Sequence, residues 1–292
     1  MKQLLIISGK GGTGKTVLTA AFAALAKNKV MVDCDVDASD LYLLLHPIIK
    51  ETHDFMGEKK SFINQEKCIK CGKCFFLCRF DAVKSIKKHN GNLEKIIIDD
   101  ISCEGCGVCV WNCPVNAIDF KKAVSGQWYI SDTKYGPFVH AKLGIGEENS
   151  GELVTMVKNQ AKNLAKSNKC DLIIIDGPPG IGCPVIASLS EVDRSLIVTE
   201  PTLSGLHDAE RIINVANHFG AEVKLVINKY DLNINMSTKI EEFCKKNNIP
   251  LIGKIKFDAG IIEAIVNGKT IIEYNKTEVK EEIIKIWEKF GE

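Results

Sequence analysis

The chain has 292 residues, 45% hydrophobic and 26% charged, the mixture of a protein that buries a substantial core. Lys and Arg total 38 against 37 for Asp and Glu, so the basic excess of a nucleic-acid surface is missing. No apolar run approaches the ~20 residues needed to cross a bilayer, and Met1–Ser8 is too short in its apolar part for a secretory signal. The expectation is a cytoplasmic protein that takes neither nucleic acid nor membrane as a partner.

Leu4–Ser8 reads as a buried strand, followed by a glycine loop, an Ala-rich helix over Thr16–Lys27 and a second short strand over Val30–Asp35. This β–loop–α–β unit opens a parallel, helix-covered sheet. The same grammar returns late in the chain. Asp171–Asp176, Arg194–Thr199 and Glu222–Asn228 are continuous apolar runs, as expected of strands buried on both faces. Helical stretches over Leu153–Ser167, Ser204–Phe219 and Thr238–Asn247 separate them, and a strand at Leu251–Ile255 precedes a helix near Ala259–Asn267. The last segment, Glu278–Phe290, puts Val279, Ile283, Ile286, Trp287 and Phe290 on one helical face. Its polar face mixes Glu and Lys, which predicts packing on the sheet rather than attachment to a membrane.

The middle of the chain breaks this pattern. Residues 61–120 hold short cysteine-rich segments and no long amphipathic helix, and predict a small α+β domain inserted into an α/β domain made of 1–60 and 121–292. The insert repeats itself, Cys68–Lys84 against Cys103–Asp119. Its first half is basic (Lys67, Lys70, Lys73, Arg79, Lys84, Lys87, Lys88) and its second acidic (Glu94, Asp99, Asp100, Glu104, Asp119), which reads as solvated surface.

Gly9-Lys10-Gly11-Gly12-Thr13-Gly14-Lys15-Thr16 matches G-x-x-x-x-G-K-[ST] between a strand and a helix. Glycines let the backbone wrap phosphate oxygens and present N–H groups to them, and the helix N-terminus adds positive dipole. Lys15 is expected to reach the β- and γ-phosphates and Thr16 to offer its hydroxyl to Mg²⁺. Asn228-Lys229-Tyr230-Asp231 follows a buried strand and also reads as N-K-x-D, in which Asp231 would bind a guanine edge.

Twelve cysteines are many for a reducing compartment, and eight of them lie between Cys68 and Cys113. Cys68-x₂-Cys71-x₂-Cys74-x₃-Cys78 and Cys103-x₂-Cys106-x₂-Cys109-x₃-Cys113-Pro114 are two copies of the bacterial ferredoxin run. Three close cysteines wrap one face of a cubane and the fourth ligand comes from the other run. One [4Fe–4S] cluster is therefore expected on Cys68, Cys71, Cys74 and Cys113, and a second on Cys103, Cys106, Cys109 and Cys78. Arg79 stands where the second run has proline. Structural zinc fits poorly, since it favours two separated Cys-x-x-Cys pairs. Cys34 and Cys183 flank acidic and glycine-rich motifs and read as packing cysteines, with redox activity or ligation as the alternative. Cys170 and Cys244 read as packing.

The motif GKGGTGKT, with Lys10 as a second lysine, resembles the deviant Walker A motif of the MinD/Mrp and nitrogenase iron-protein superfamily. Asp33-Cys34-Asp35-Val36-Asp37 resembles its switch I, and Asp176-Gly177-Pro178-Pro179-Gly180 its Walker B and switch II. Tyr135–Phe138, Gly146–Gly151 and Gly177–Pro184 extend the likeness over most of the chain. The resemblance implies a P-loop sheet that binds ATP with Mg²⁺ and closes as a homodimer, Lys10 reaching the partner's phosphates. It also implies that Asp35 positions the attacking water, that Asp176 holds Mg²⁺ through water and that Asn228 touches the base. It favours ATP over GTP. With the cysteine runs, it makes an ATPase coupling nucleotide switching to electron transfer the leading expectation, with a redox partner. An ATP-dependent maturation factor for metallocofactors, with a target protein as partner, is the alternative. A MinD/ParA-like positioning ATPase ranks last.

Overall fold

The apolar runs beginning near Leu4, Val30, Asp171, Arg194, Glu222 and Leu251 are all strands in the computed structural model, which describes residues 1–87, 93–147, 150–274 and 276–291. Lys88, and Glu148 and Asn149 within the Gly146–Gly151 stretch, lie outside the described residues. Along the chain, β1 (Lys2–Ser8), α1 (Lys15–Leu25), β2 (Lys29–Asp33) and α2 (Tyr42–Leu45) lead into a long strand, β3 (Ile48–Ile63). There follow α3 (Lys73–Leu77), β4 (Val83–Lys87), β5 (Leu93–Ile98), α4 (Val108–Trp111), a second long strand β6 (Ile118–Thr133) and β7 (Gly136–Leu143). The rest alternates: α5 (Ser150–Ser167), β8 (Leu172–Pro179), α6 (Cys183–Leu189), β9 (Arg194–Thr199), α7 (Leu203–His218) and β10 (Glu222–Asn228). It closes with α8 (Ile234–Lys246), β11 (Leu251–Ile255), α9 (Ala259–Val266) and α10 (Lys280–Gly291).

Nine strands form one sheet in the order β11-β10-β9-β1-β8-β2-β7-β6-β3. β1 pairs in parallel with β8 and β9, β2 with β8 and β7, and β10 with β9 and β11. Parallel strands need crossover connections, and the helices between them supply these. β1 shows why its run is apolar throughout. Leu4 and Ile6 point into a cluster with Leu18, Phe22 and Ile174, while the equally buried Leu5 and Ile7 face the other side by the strand period of two. β3, β6 and β7 were not read from the sequence. β3 and the first half of β6 are rich in Lys, Glu and Asp and largely exposed, so no apolar run marks them.

The chain divides into two compact units. The first comprises Met1–His53, Trp128–Lys142 and Ser150–Glu292; the second comprises Asp54–Gln127 and Leu143–Asn149, and holds the cysteine-rich stretch. β3 and β6 carry the chain out of the first unit and back. Within the second unit, β4 and β5 form an antiparallel hairpin. The sequence repeat is also a repeat of backbone conformation. Left-handed φ angles occur at Lys70, Gly72 and Asp81, and again at Gly105, Gly107 and Asn116, each 35 residues on. Gly72 and Gly107 stand at the N-termini of α3 and α4 with φ of 76° and 72°, a conformation that favours glycine.

In the first unit, α10 lies where its apolar face demanded. Val279, Ile283, Ile286 and Phe290 are buried against α1 and the sheet, and the Phe22 ring lies 5.1 Å from Trp287 and 6.0 Å from Phe290. That face is spent on the core, and no helix among the described residues is long and apolar enough to cross a membrane. Phe290→Ala leaves a cavity beneath α1 and is expected to cost about 3–5 kcal/mol. A fall of that size in urea-unfolding free energy, with the nucleotide site intact, is the outcome that checks this packing.

Candidate nucleotide site and cysteine cradles

The ends of β1, β2, β8, β9 and β10 meet on one edge of the sheet because these strands are all parallel. In an open α/β sheet this carboxyl edge is where ligands bind. The glycine loop follows β1, with Gly12 and Gly14 in left-handed conformations at φ of 78° and 94°. A Cβ on Gly14 would stand 2.5 Å from Asn228 Nδ2, so the loop closes over that side chain only with glycine there. Asn228 Nδ2 donates to Thr13 O at 2.8 Å.

Lys15 is the first residue of α1, and its Nζ lies 2.8 Å from Asp35 Oδ2, with both side chains almost buried. Burial pulls the Lys15 pKa down, but Asp176 and Asp35 together outweigh it and the pKa is raised. Asp176 Oδ1 accepts from Thr19 Oγ1 at 2.9 Å, while Asp176 Oδ2 and Thr13 Oγ1 are buried without a hydrogen-bond partner among the described residues. A buried oxygen left unsatisfied is costly, and one on a carboxylate beside the Thr16 hydroxyl suits the water shell of Mg²⁺. Lys10, less enclosed, lies 3.6 Å from Glu200 Oε2 at the end of β9. Glu200 Oε1 is 2.6 Å from Lys229 Nζ, which also reaches Gly12 O at 3.3 Å.

Two residues here were not assigned a role from the sequence. Asp33 is paired in register with Asp176 on the neighbouring strand. Burial, and then the Asp176 charge, push the Asp33 carboxyl up to about 8, against the hydrogen bonds from Ser39 Oγ and Asp35 N and the charge of Lys15. Burial likewise raises Asp176, opposed by Lys15. Glu200 is the other. The signal for both was available: each is an acidic residue at the carboxyl end of a buried parallel strand.

Beside the loop, a cleft of about 170 Å³ is lined by Gly12, Gly14, Asn228, Phe257, Ile261 and Ile262 among others. Its walls are mostly apolar, as a purine ring requires. Asp231, the guanine-reading residue of the N-K-x-D match, is not in this lining. Its Oδ1 accepts from Phe257 N at 2.7 Å and braces the loop instead.

In the second unit the cysteines surround two small cavities. Cys68, Cys71, Cys74 and Cys113 line one, with Ile63, Ile96 and Ile118. Cys78, Cys103, Cys106 and Cys109 line the other, with Phe80, Val83 and Ile98. Each cavity thus draws three cysteines from one run and the trailing one from the other. Cys109 Sγ lies 3.3 Å from Ser61 Oγ, and Ala117 N donates to Cys113 Sγ at 3.2 Å. Among the described residues, no three His, Cys, Asp or Glu side chains come together closely enough to hold a single metal ion.

The nucleotide site has counterparts. The model of the CobQ/CobB/MinD/ParA nucleotide binding domain matches residues 4–271. The chain belongs to this family. An uncharacterized protein of Methanocaldococcus jannaschii is 36% identical over 294 residues, covering 99% of this chain and 96% of its own length. The septum site-determining protein MinD of Synechocystis is 24% identical over 289 residues, 96% of this chain and 85% of its own. The structure of septum site-determining protein MinD complexed with Mg-ADP from Pyrococcus horikoshii superposes with a TM-score of 0.59 at 18% identity, covering 99% of this chain and 95% of that one. The fold is shared at that level of identity.

Membership of the CobQ/CobB/MinD/ParA family makes this a P-loop nucleotide-binding chain of ATPase type, with ATP and Mg²⁺ as the consistent ligands. It also overturns the leading expectation from the sequence, ATP hydrolysis coupled to electron transfer, and its alternative of cofactor maturation. The relatives with a named role are septum site-determining MinD proteins, and the reading ranked last, a MinD/ParA-like ATPase, fits them better. The physical reason is that cysteine runs report what a segment can ligate, whereas what an ATPase drives is set by its switch loops and partners.

The remaining cysteines divide by burial. Cys34 is fully buried, burial raises its thiol far above the ordinary value, and it packs rather than reacts. Cys244 is buried and pushed up to about 11, while Cys183, expected to pack, is exposed at the start of α6, whose buried face is that of Val185, Ser188 and Leu189. Cys170, expected to pack, is only half-buried, because the chain turns at Lys169 with φ of 54° and leaves it at the end of α5.

The Asp33 carboxyl gives a pH prediction. Unfolded, it ionises near 3.8; folded, it holds its proton to about 8. Between these values the folded state binds more protons than the unfolded, so stability without Mg²⁺ falls as pH rises. Asp33→Asn is expected to flatten this decline. Unfolding midpoints measured across the window should converge at low pH and separate in favour of the variant toward pH 8.

Proposed function

We propose that this chain is a MinD/ParA-type ATPase that alternates between a free form and a nucleotide-closed homodimer, and in doing so times or places the assembly of a partner protein. The observation that carries this reading is that both loop lysines are held by carboxylates of their own chain, Lys10 by Glu200 and Lys15 by Asp35. Each is a cation on a borrowed counter-ion, ready to exchange it for phosphate. Lys15 would move from Asp35 to the β- and γ-phosphates, beside the N–H groups of the loop. Asp35, released, would then accept a hydrogen bond from the attacking water. As the water oxygen bonds to the γ-phosphorus, the bond from that phosphorus to the β–γ bridging oxygen breaks, and ADP and phosphate leave. Thr16 and Asp176 would hold Mg²⁺, directly and through water. Asn228 and the apolar cleft favour adenine. Lys10 would turn to the phosphates of a second copy.

The reading gives a separable pair of outcomes. Lys15→Ala should lower ATP hydrolysis by about 100-fold or more, since it removes charge stabilisation at the transferring phosphoryl. Lys10→Ala should still bind ATP yet stay monomeric in sedimentation with a non-hydrolysable analogue. A Lys10→Ala protein that closes as readily as wild type would remove the dimer from the mechanism.

The second part of the proposal is that the two cradles hold cubane clusters, on Cys68, Cys71, Cys74 and Cys113 and on Cys103, Cys106, Cys109 and Cys78. The support is the composition of each cavity and its apolar walls. A single zinc ion draws its sulfurs to ~2.3 Å from one centre. Zinc favours two separated Cys-x-x-Cys pairs, whereas each run here has three close cysteines and one trailing, the pattern of a cubane ligand set. Bound there, clusters would tie together the segments that carry their ligands, making the fold of this unit depend on iron. Anaerobically purified protein is expected to carry about eight irons and eight sulfides per chain. Cys113→Ser should perturb the cluster of the first run and spare that of the second, whose ligands do not include it. Stoichiometric zinc without sulfide, in iron-replete protein, would show that the cradles hold something else.

A further inference from the structure

Glu200 is the last residue before the turn into α7 and is held rigidly. Its carbonyl accepts from Thr202 N at 2.8 Å, and a Cβ on Gly205 would stand 2.4 Å from that carbonyl, so helix and turn are packed tightly together. Its side chain is only 16% exposed. One carboxylate oxygen faces Lys10 at 3.6 Å and the other faces Lys229 at 2.6 Å. Lys229 in turn reaches Gly12 O at 3.3 Å from a left-handed backbone, φ 55°, directly after Asn228. Glu200 therefore joins the two sides of the nucleotide site, the phosphate loop and the loop that follows β10.

We infer that Glu200 is a latch on Lys10: a positioning residue that parks this lysine on its own subunit and so sets how much nucleotide-driven closure of the dimer costs. The inference rests on the proposed role of Lys10 at a second copy's phosphates. Three features separate a latch from a surface ion pair. The anchor is short of solvent and fixed by its own backbone. The second lysine, Lys229, holds the carboxylate in place at closer range, so that when Lys10 leaves, Glu200 keeps a partner and no buried charge is stranded. And Lys10 is the more exposed and more distant of the two cations, 36% exposed, which makes it the one that detaches.

A dimer must open two such latches. A partly exposed pair of this kind shifts an equilibrium by about threefold, so removing both should tighten the dimer by about tenfold. The test uses the full-length protein and its Glu200→Gln variant. Specific ATPase activity is measured against protein concentration, alongside sedimentation with a non-hydrolysable ATP analogue. For Glu200→Gln, the concentration at half-maximal activity should fall about tenfold with the plateau unchanged. In a Lys10→Ala background the same substitution should leave ATP affinity and self-association where Lys10→Ala alone puts them. A role confined to holding the loops in shape predicts the reverse, a lower plateau or weaker ATP binding in both backgrounds. Glu200→Asp, too short to span both lysines, should move the midpoint in the same direction, and serves if the glutamine variant does not fold. Wild-type activity independent of protein concentration, with no dimer, would instead sink the parent reading of Lys10. A wild-type dimer whose midpoint is unmoved or raised by both Glu200 variants would overturn the latch alone.

Discussion

The parallel register of β1, β2, β8, β9 and β10 is the constraint on which the rest of the nucleotide site depends. Because these strands run the same way, their last residues gather on one edge, and their interiors, covered on both faces, admit almost nothing polar. Polar groups therefore collect where the strands stop: Asp33, Asp176, Glu200 and Asn228, with the glycine loop after β1. The carboxylates outnumber the lysines that neutralise them in the deepest part of the site. Asp33 resolves the excess by keeping a proton, and Lys15 by staying charged despite burial. Such a site is held together by charges that a triphosphate and Mg²⁺ would rearrange.

The second unit solves a different problem. It has no long helix among the described residues and leaves large apolar side chains such as Ile69, Phe76, Ile101 and Trp111 exposed, so its buried core is small. What it has is repetition. Left-handed residues recur at equivalent places in the two halves, turning the chain the same way twice and setting cysteines around two cavities. Each cavity takes its trailing cysteine from the other half.

Carrying this cysteine chemistry up to the role of the whole chain is where the sequence misled. A ligand set specifies a coordination sphere and not a reaction partner. The match to the CobQ/CobB/MinD/ParA nucleotide binding domain runs over residues 4–271, and what it shows is a nucleotide-binding family.

The sequence by itself determined the elements whose side chains report their surroundings. Strands buried on both faces, the phosphate loop and the two cysteine runs need particular residue types at particular spacings, so Arg194–Thr199, Glu222–Asn228 and Leu251–Ile255 could be read to the residue. Long strands β3 and β6 could not, because charged, mostly exposed strands are held by backbone pairing, which leaves no apolar pattern. Nor could the partners within the site be read. Asp33 beside Asp176 depends on the register of two strands more than a hundred residues apart in sequence. Glu200 between Lys10 and Lys229 depends on the order in which strands are laid down across the sheet. Spacing along the chain encodes local geometry, whereas which charges face one another is decided only when distant strands are brought side by side.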